Sequence, residues 1–479
     1  MTIFIDRASE LADLESRWRS EVSELVIVYG RRRVGKTELL LRFAQGKRAL
    51  YFLAAQVTKT EQLRQFSQQL RSTFDDPLLA HLTFTEWESA WSYLAQKAEG
   101  ERLLVVLDEF PYLCEAQAAL PSLLQRFWDL QGRHTQLFLV LCGSQVSFME
   151  RELLAQRAPL YGRRTAQLQL RPLSFRDAAQ FFPQYSARQQ LMAYGMLGGM
   201  PAYLQRFDPH RSLRQNLLRE ALSVQGFLYE EPHFLLQMEL RDPKTYMALL
   251  GAIASGCTRL NQIAQRAGLT VQVASKYLNV LRGLALVARE VSPLERAPER
   301  SKKGRYRVAD PFLQFWFRFL QPHLSLVEAG AGTLVYQRFI APQLDTYLGG
   351  VFEEVCREFI RRYGGELGEE SVRRVGRHWG AEFDLDIVIE HLDRSWSFGE
   401  CKWTRRPLGE RTLKLLQARI AQLRPAPAPV RSLLLFASSG FTERLKRRAR
   451  SAIAGEGPLL HLVDLKALLA APDLDQRSA

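Results

Sequence analysis

Short apolar runs recur along the first third of the chain, each closed by glycine or by small or acidic residues. Residues 26–29 lead into Gly30, 103–107 into Asp108 and Glu109, and 137–141 into Cys142, Gly143 and Ser144. Continuous apolar runs of this length predict strands covered on both faces, as in a parallel sheet. Residues 48–54 predict another strand, and 167–170, alternating polar with apolar, a fifth. Helices are expected within 3–18, where Phe4, Leu11 and Leu14 form an apolar face, from Lys36 onward, and over 61–74. Strands alternating with helices predict an α/β architecture.

The pattern changes after Thr245. Apolar helices are expected at 246–254 and 260–267, then a turn at Gly268 and Leu269, a longer helix at 270–284 and a strand at 286–291. That order predicts a winged helix-turn-helix, with Gln272, Ser275, Lys276, Asn279 and Arg282 exposed on the recognition helix. The following turn carries Arg296, Arg300, Lys302, Lys303, Arg305 and Arg307, a wing suited to a duplex backbone. Residues 311–320 predict an aromatic core helix and 334–348 a linking segment. Beyond it come a helix at 352–361, strands around 383–387 and 398–402, a helix at 408–423, and strands at 432–437 and 459–463.

Chemistry concentrates at two places. Gly30, Gly35, Lys36 and Thr37 stand between the first strand and its helix in the spacing GxxxxGK[ST]. Glycines let backbone N–H groups curl round phosphate oxygens, the lysine reaches the β- and γ-phosphates, and the hydroxyl meets Mg²⁺. The helix dipole opening at Lys36 adds to the same spot. Asp108 is positioned to hold Mg²⁺ through water and Glu109 to polarise the attacking water. Ser144 is the candidate γ-phosphate sensor, and Arg163 or Arg164 the candidate arginine finger. Arg31, Arg32 and Arg33 are left without a role.

In the last region Asp384 and Asp386 share one strand face, and Glu400 and Lys402 one face of the next. A hairpin brings these faces together. Asp386, Glu400 and Glu353 then offer oxygens to Mg²⁺, and Lys402 can orient or deprotonate a water and stabilise a pentavalent phosphate.

GRRRVGKTELL, LLVVLDEF, LCGSQVSFM, LYGRRT and GGMPAYL together resemble the archaeal-type ATPases of prokaryotes, a branch close to the AAA+ and STAND NTPases. The resemblance implies ATP and Mg²⁺ as cofactors and a parallel sheet of order 5-1-4-3-2. It also implies a small helical lid, with Gly198 and Gly199 as its hinge. ADPFLQFW at 309–316 resembles the stretch after the winged helix in that family. The C-terminal acids and lysine resemble the PD-(D/E)xK nucleases. That likeness implies Glu353 as the helix glutamate, with Glu354 as the runner-up, and a flank of Arg405, Arg406 and the basic run 444–450.

The expected fold is thus α/β: a P-loop parallel-sheet ATPase core, a helical lid, a winged helix-turn-helix and a restriction-endonuclease-like α/β domain. Residues 1–175, 176–240, 241–325 and 326–479 are the respective domains. A length of 479 residues suits several cores, and a net charge of +14 with pI 9.7 favours a polyanionic partner, here duplex or branched DNA. Homo-oligomerisation is left open. Five scattered cysteines without a CxxC pair, the lack of a basic-then-apolar start and the interruption of 311–320 by Arg318 point to a cytoplasmic protein with no membrane partner. Two functions follow: an ATP-hydrolysing protein acting on DNA through a Mg²⁺-dependent nuclease domain, or an ATP-switched regulatory NTPase that binds without cleaving.

Overall fold

The computed structural model describes residues 5, 7–20, 22–240, 242–298, 300–369, 371–424, 426–452 and 457–470. Phe4 lies outside them. The chain forms two compact units, Met1–Pro172 and Leu173–Ala479.

In the first unit, α1 (Ala8–Arg19) precedes β1 (Glu24–Tyr29) and α2 (Lys36–Ala44), and β2 (Ala49–Leu53) follows. After α3 (Lys59–Thr73) and α4 (Trp87–Lys97) come β3 (Leu103–Asp108), α5 (Phe110–Ala116), α6 (Leu120–Leu130), β4 (Leu137–Gly143) and β5 (Ala166–Gln169). The sheet is parallel, in the order β2-β3-β4-β1-β5 that the family resemblance implies. Every residue of β1, β3 and β4 is buried, whereas the edge strands β2 and β5 alternate. The unbroken apolar runs are therefore the interior strands, covered on both faces.

α4 was not anticipated. Its buried Trp87, Ala90, Trp91, Leu94 and Ala95 recur at helical spacing. Trp87 stacks on Trp91 with ring centroids 5.9 Å apart and meets Phe66 at 5.1 Å, so α4 joins α3 to the sheet through aromatic packing.

In the second unit, α7 (Ala187–Leu197) starts at a capping box of Ser186 and Gln189 and stops at Gly198, whose φ of 66° is left-handed. Gly199 is needed for a different reason: a Cβ there would lie 2.0 Å from Leu173 O. α8 (Pro243–Ala254), α9 (Leu260–Arg266) and α10 (Val271–Gly283) lead into the antiparallel hairpin of β6 (Val287–Glu290) and β7 (Arg305–Val308). This is the helix–helix–turn–helix–hairpin order expected. The aromatic segment after it is core, with Phe312, Phe315, Trp316, Phe317 and Phe319 buried.

α11 (Leu344–Tyr363) begins earlier than expected, inside the supposed link. It runs through Gly349 and Gly350, whose helix cost of about 1 kcal/mol each is offset by burying Leu344, Tyr347 and Leu348. The second sheet comprises β8 (Val372–Trp379), β9 (Asp384–His391), β10 (Trp396–Lys402), β11 (Val430–Ala437) and β12 (Leu459–Asp464), with α12 (Glu410–Gln422) between β10 and β11. Its order is β12-β11-β10-β9-β8, antiparallel from β8 to β10 and parallel beyond. β8 was not foreseen: its sequence, VRRVGRHW, is too basic to read as a core strand, which suits a sheet edge. Among the described residues no helix is long and apolar enough to cross a membrane.

Candidate functional site

The phosphate loop is shaped by close approach. A Cβ on Gly30 would sit 2.4 Å from Leu170 O and 3.3 Å from Val34 Cγ1, so the loop leaves β1 only because residue 30 has no side chain. Gly35 caps α2 at φ 97°, and Arg33 is also left-handed at φ 68°, a strained non-glycine position. Lys36 is buried and donates to Gly30 O at 2.9 Å and Arg31 O at 3.2 Å, which folds its ammonium over the loop. Arg7 at the start of α1 clamps the other side, donating to Val34 O at 3.1 Å and Arg171 O at 2.7 Å. Arg32 donates to the Tyr112 hydroxyl.

β3 delivers Asp108 to this loop. Thr37 Oγ1 donates to Asp108 Oδ2 at 2.9 Å, so the hydroxyl and carboxylate that a nucleotide-bound Mg²⁺ would use are already adjacent, and the residues fit that ion. Tyr51, from β2, donates to the same oxygen at 2.6 Å, and Asp108 Oδ1 accepts the Glu109 N–H at 2.9 Å. Burial and then the Asp108 charge push the Tyr51 phenol far above its ordinary value, so it remains a donor. Tyr51 was missed because nothing local marks it; only the pairing of β2 with β3 sets it near Asp108.

Glu109 adopts φ 54°, another left-handed non-glycine. Its Oε2 accepts Ser144 Oγ at 2.9 Å and Ser144 N at 3.2 Å, so the expected water-polarising acid and the expected sensor are bonded to each other. The two arginines differ. Arg163 is tied to Asp129, with Nε 3.0 Å from both carboxylate oxygens and Nη2 2.9 Å from one. Arg164 lies over the Tyr161 ring at 5.5 Å, and its buried Nη1 has no hydrogen-bond partner among the described residues. It is close enough to Tyr29, at the end of β1, to act on its phenol.

The C-terminal residues also assemble. β9 and β10 pair Gly399 with Ile387, so the next rung sets Asp386 beside Glu400. Cys401 N donates to Asp386 Oδ2 at 2.9 Å, and Lys402 Nζ lies 2.5 Å from Glu400 Oε1 and 3.9 Å from Asp386 Oδ2. Arg419, which sequence reasoning missed, reaches Glu400 from α12 at 3.0 and 3.1 Å. Burial, then Glu400, raise the Asp386 carboxyl, while burial and Asp386 push Glu353 up to about 7. Crowded carboxylates of this kind gain from a divalent cation, which is the chemical fit to Mg²⁺. Among the described residues no three His, Cys, Asp or Glu side chains form a ready metal cage, but Mg²⁺ typically takes only one or two carboxylates plus phosphate and water.

Glu354 is differently employed. Arg307 Nη2 lies 2.9 Å and Arg361 Nη1 3.0 Å from Oε1, and Arg357 3.0 Å from Oε2. Of the expected basic flank, Arg405 pairs with Asp345 at 3.3 Å and Arg444 with Glu410 at 2.9 Å. All five cysteines are free thiols, four of them buried and Cys257 half-buried.

A parallel sheet carrying this loop, with Thr37 bonded to an acid at the end of a neighbouring strand, defines a P-loop ATPase. Residues 4–207 match a family described as an ATPase domain predominantly from Archaea, and residues 316–415 one described as archaeal and bacterial proteins of unknown function. An uncharacterized protein of Methanocaldococcus jannaschii is 31% identical over 416 residues, 86% of this chain and 90% of that protein. Among solved structures, a Walker-type ATPase of Pyrococcus abyssi is similar at 21% identity and TM-score 0.49, over 66% of this chain and 96% of its own. The Aeropyrum pernix ORC2 protein, solved with ADPNP and ADP, is similar at 16% identity and TM-score 0.45, over 69% of this chain and 94% of its own. The chain belongs to the archaeal-type ATPase family.

Proposed function

We propose that ATP binding and hydrolysis in residues 1–175, with 176–240 as lid, gate the engagement of DNA by a winged helix at 241–325, and that 326–479 cut a phosphodiester in the cytoplasm. The observation that carries this reading is Lys402 within 2.5 Å of Glu400 and 3.9 Å of Asp386, with Glu353 in the same electrostatic field. Asp386 and Glu400, helped by Glu353, would hold Mg²⁺, which when bound supplies Lewis-acid activation of water and phosphate. Glu400 and Asp386 keep the Lys402 ammonium protonated against its burial, so Lys402 would orient the water and stabilise charge on the phosphate. At the nucleotide, Lys36 would exchange its loop carbonyls for phosphate oxygens, Thr37 and Asp108 would hold Mg²⁺, and Ser144 would release Glu109 toward water. Arg164 is favoured over Arg163 as finger, since Asp129 neutralises the latter.

Gln272, Lys276, Asn279 and Arg282 are exposed on α10, which supports a nucleic-acid face. Exposed Val271, Val273 and Val280 on the same helix favour a second reading, an ATP-switched NTPase whose helix docks on protein. One experiment separates them: ATPase rates with and without single-stranded, duplex and junction DNA, and product gels from the same tubes, beside Lys36→Ala and Lys402→Ala. Cleavage with Mg²⁺ or Mn²⁺ that Lys402→Ala abolishes is expected. Intact DNA in every tube would overturn it and leave the switch.

A further inference from the structure

The wing and the edge of the C-terminal sheet are built into one another. A Cβ on Gly376 of β8 would lie 2.9 Å from Pro293 Cδ, which follows β6. Ser292 Oγ is 2.9 Å from His378 Nδ1, Arg377 Nε is 2.8 Å from Glu290, and Arg307 pairs with Glu290 at 2.5 Å and Glu354 at 2.9 Å. At this seam the guanidinium carbons of Arg305 and Arg377 lie 4.8 and 5.6 Å from the Trp379 ring centroid.

Arg305 is half-buried against the ring, while Arg259, exposed just ahead of α9, is close enough to repel it. Burial first, then Arg377 and Arg259, weaken its hold on its proton against the pull of Asp384. Arg377 in turn acts on the Glu353 carboxylate together with Lys402, so the β8 end of this seam is within electrostatic reach of the acid site. Like charges gathered around one indole cost Coulomb energy that a polyanion relieves. Guanidinium forks match phosphate oxygens, and an aromatic face holds them preoriented.

We propose that the hairpin and β8 form a single phosphate-binding wall of the Asp386–Lys402 site, with Arg259, Arg305 and Arg377 taking successive phosphates of a DNA strand. This rests on the nucleic-acid reading above and changes it: the wing is part of the C-terminal site and not a separate grip. Arg307, expected to face DNA, is spent on two carboxylates, Glu290 and Glu354, whereas Arg377 shares the first of them and also lies over Trp379, so a phosphate would draw Arg377 from Glu290.

The test is fluorescence anisotropy of the full chain with a labelled duplex bearing a single-stranded tail, in EDTA, across a salt series. Arg305→Gln should weaken binding severalfold and lower the slope of log K against log salt by about 1. Arg377→Gln should do likewise, and Trp379→Phe, which keeps an aromatic face, should bind like wild type. Lys276→Ala on α10 is the comparison. If Arg305→Gln and Arg377→Gln bind with wild-type affinity and slope while Lys276→Ala weakens binding, the shared wall is wrong and DNA binding stands. If the wild type binds no DNA, the underlying nucleic-acid reading fails, and the wall with it.

Discussion

Replacing Glu354 with alanine should destabilise the C-terminal unit by about 3–5 kcal/mol, the usual cost of breaking a buried ion pair from one side. The Arg357 side chain is 3% exposed, and its Nε and Nη2 both lie 3.0 Å from Glu354 Oε2. Without that carboxylate it keeps the Asp386 carbonyl at 2.9 Å and Glu353 at 3.6 Å, and Arg307 and Arg361 each lose a partner. A second route gives a similar size. Burial pushes the Glu354 carboxyl up, but Arg307, Arg357 and Arg361 outweigh it and hold it at about 2 against an ordinary 4.5. At 1.36 kcal/mol per pH unit that is about 3 kcal/mol. The folded value is depressed, so this stability is present above pH 4.5 and is lost as pH falls toward 2. Urea and thermal denaturation of wild type, Glu354→Ala and Glu354→Gln at pH 7 and along pH 5 to 2 measure it, with a Tm drop of roughly 5–15 °C expected. The adjacent Glu353 should behave oppositely: burial and Asp386 raise it from 4.5 to about 7, so its cost to folding grows as pH rises from 4.5 to about 7 and is full above that. Glu353→Gln at pH 8 should be neutral or stabilising. A loss under 1 kcal/mol for Glu354→Ala, or an equal loss for Glu353→Gln, would refute the assignment.

Gly30→Ala should abolish nucleotide binding, read with a fluorescent ATP analogue, because its Cβ meets Leu170 O at 2.4 Å. Tyr51→Phe removes one hydrogen bond to a charged oxygen, worth about 1.5–3 kcal/mol. It should raise the Mg²⁺ concentration for half-maximal ATPase roughly tenfold or more while leaving metal-free nucleotide affinity alone. Arg164→Ala should lower turnover at unchanged ATP affinity, whereas Arg163→Ala should mainly lower Tm by freeing Asp129; equal kinetic losses would remove the distinction.

How far the site could be read from residues alone depended on whether its parts are near in the chain. Gly30, Gly35, Lys36 and Thr37 lie within eight positions, and the apolar runs around them state their own strands, so loop, helix and sheet were legible. Asp386, Glu400 and Lys402 were found because strand alternation is a local rule and one hairpin joins them. Tyr51, Arg7 and Arg419 were not, since each reaches its target across a strand pairing or a helix docking that no short window displays. β8 escaped for a related reason: its arginines look like solvent-facing charge until Glu390 and Glu290 are seen to take Arg374 and Arg377. Glu353 and Glu354 are chemically identical on paper; Asp386 beside the one, and Arg307 and Arg361 beside the other, tell them apart.

The contact of Gly376 with Pro293 bears on how this protein can be taken apart. A cut near residue 325, where sequence would separate the last domain, removes the proline that covers Gly376, one of the three arginines on Glu354, and the Glu290 carboxylate that pairs with Arg377. A fragment made that way would expose a bare sheet edge and leave Arg377 without that acid. Transplanting the C-terminal sheet into another scaffold therefore requires carrying the hairpin with it. For the same reason, exchanges between relatives should preserve the pair together, with bulk at 376 tolerated only where 293 is also changed.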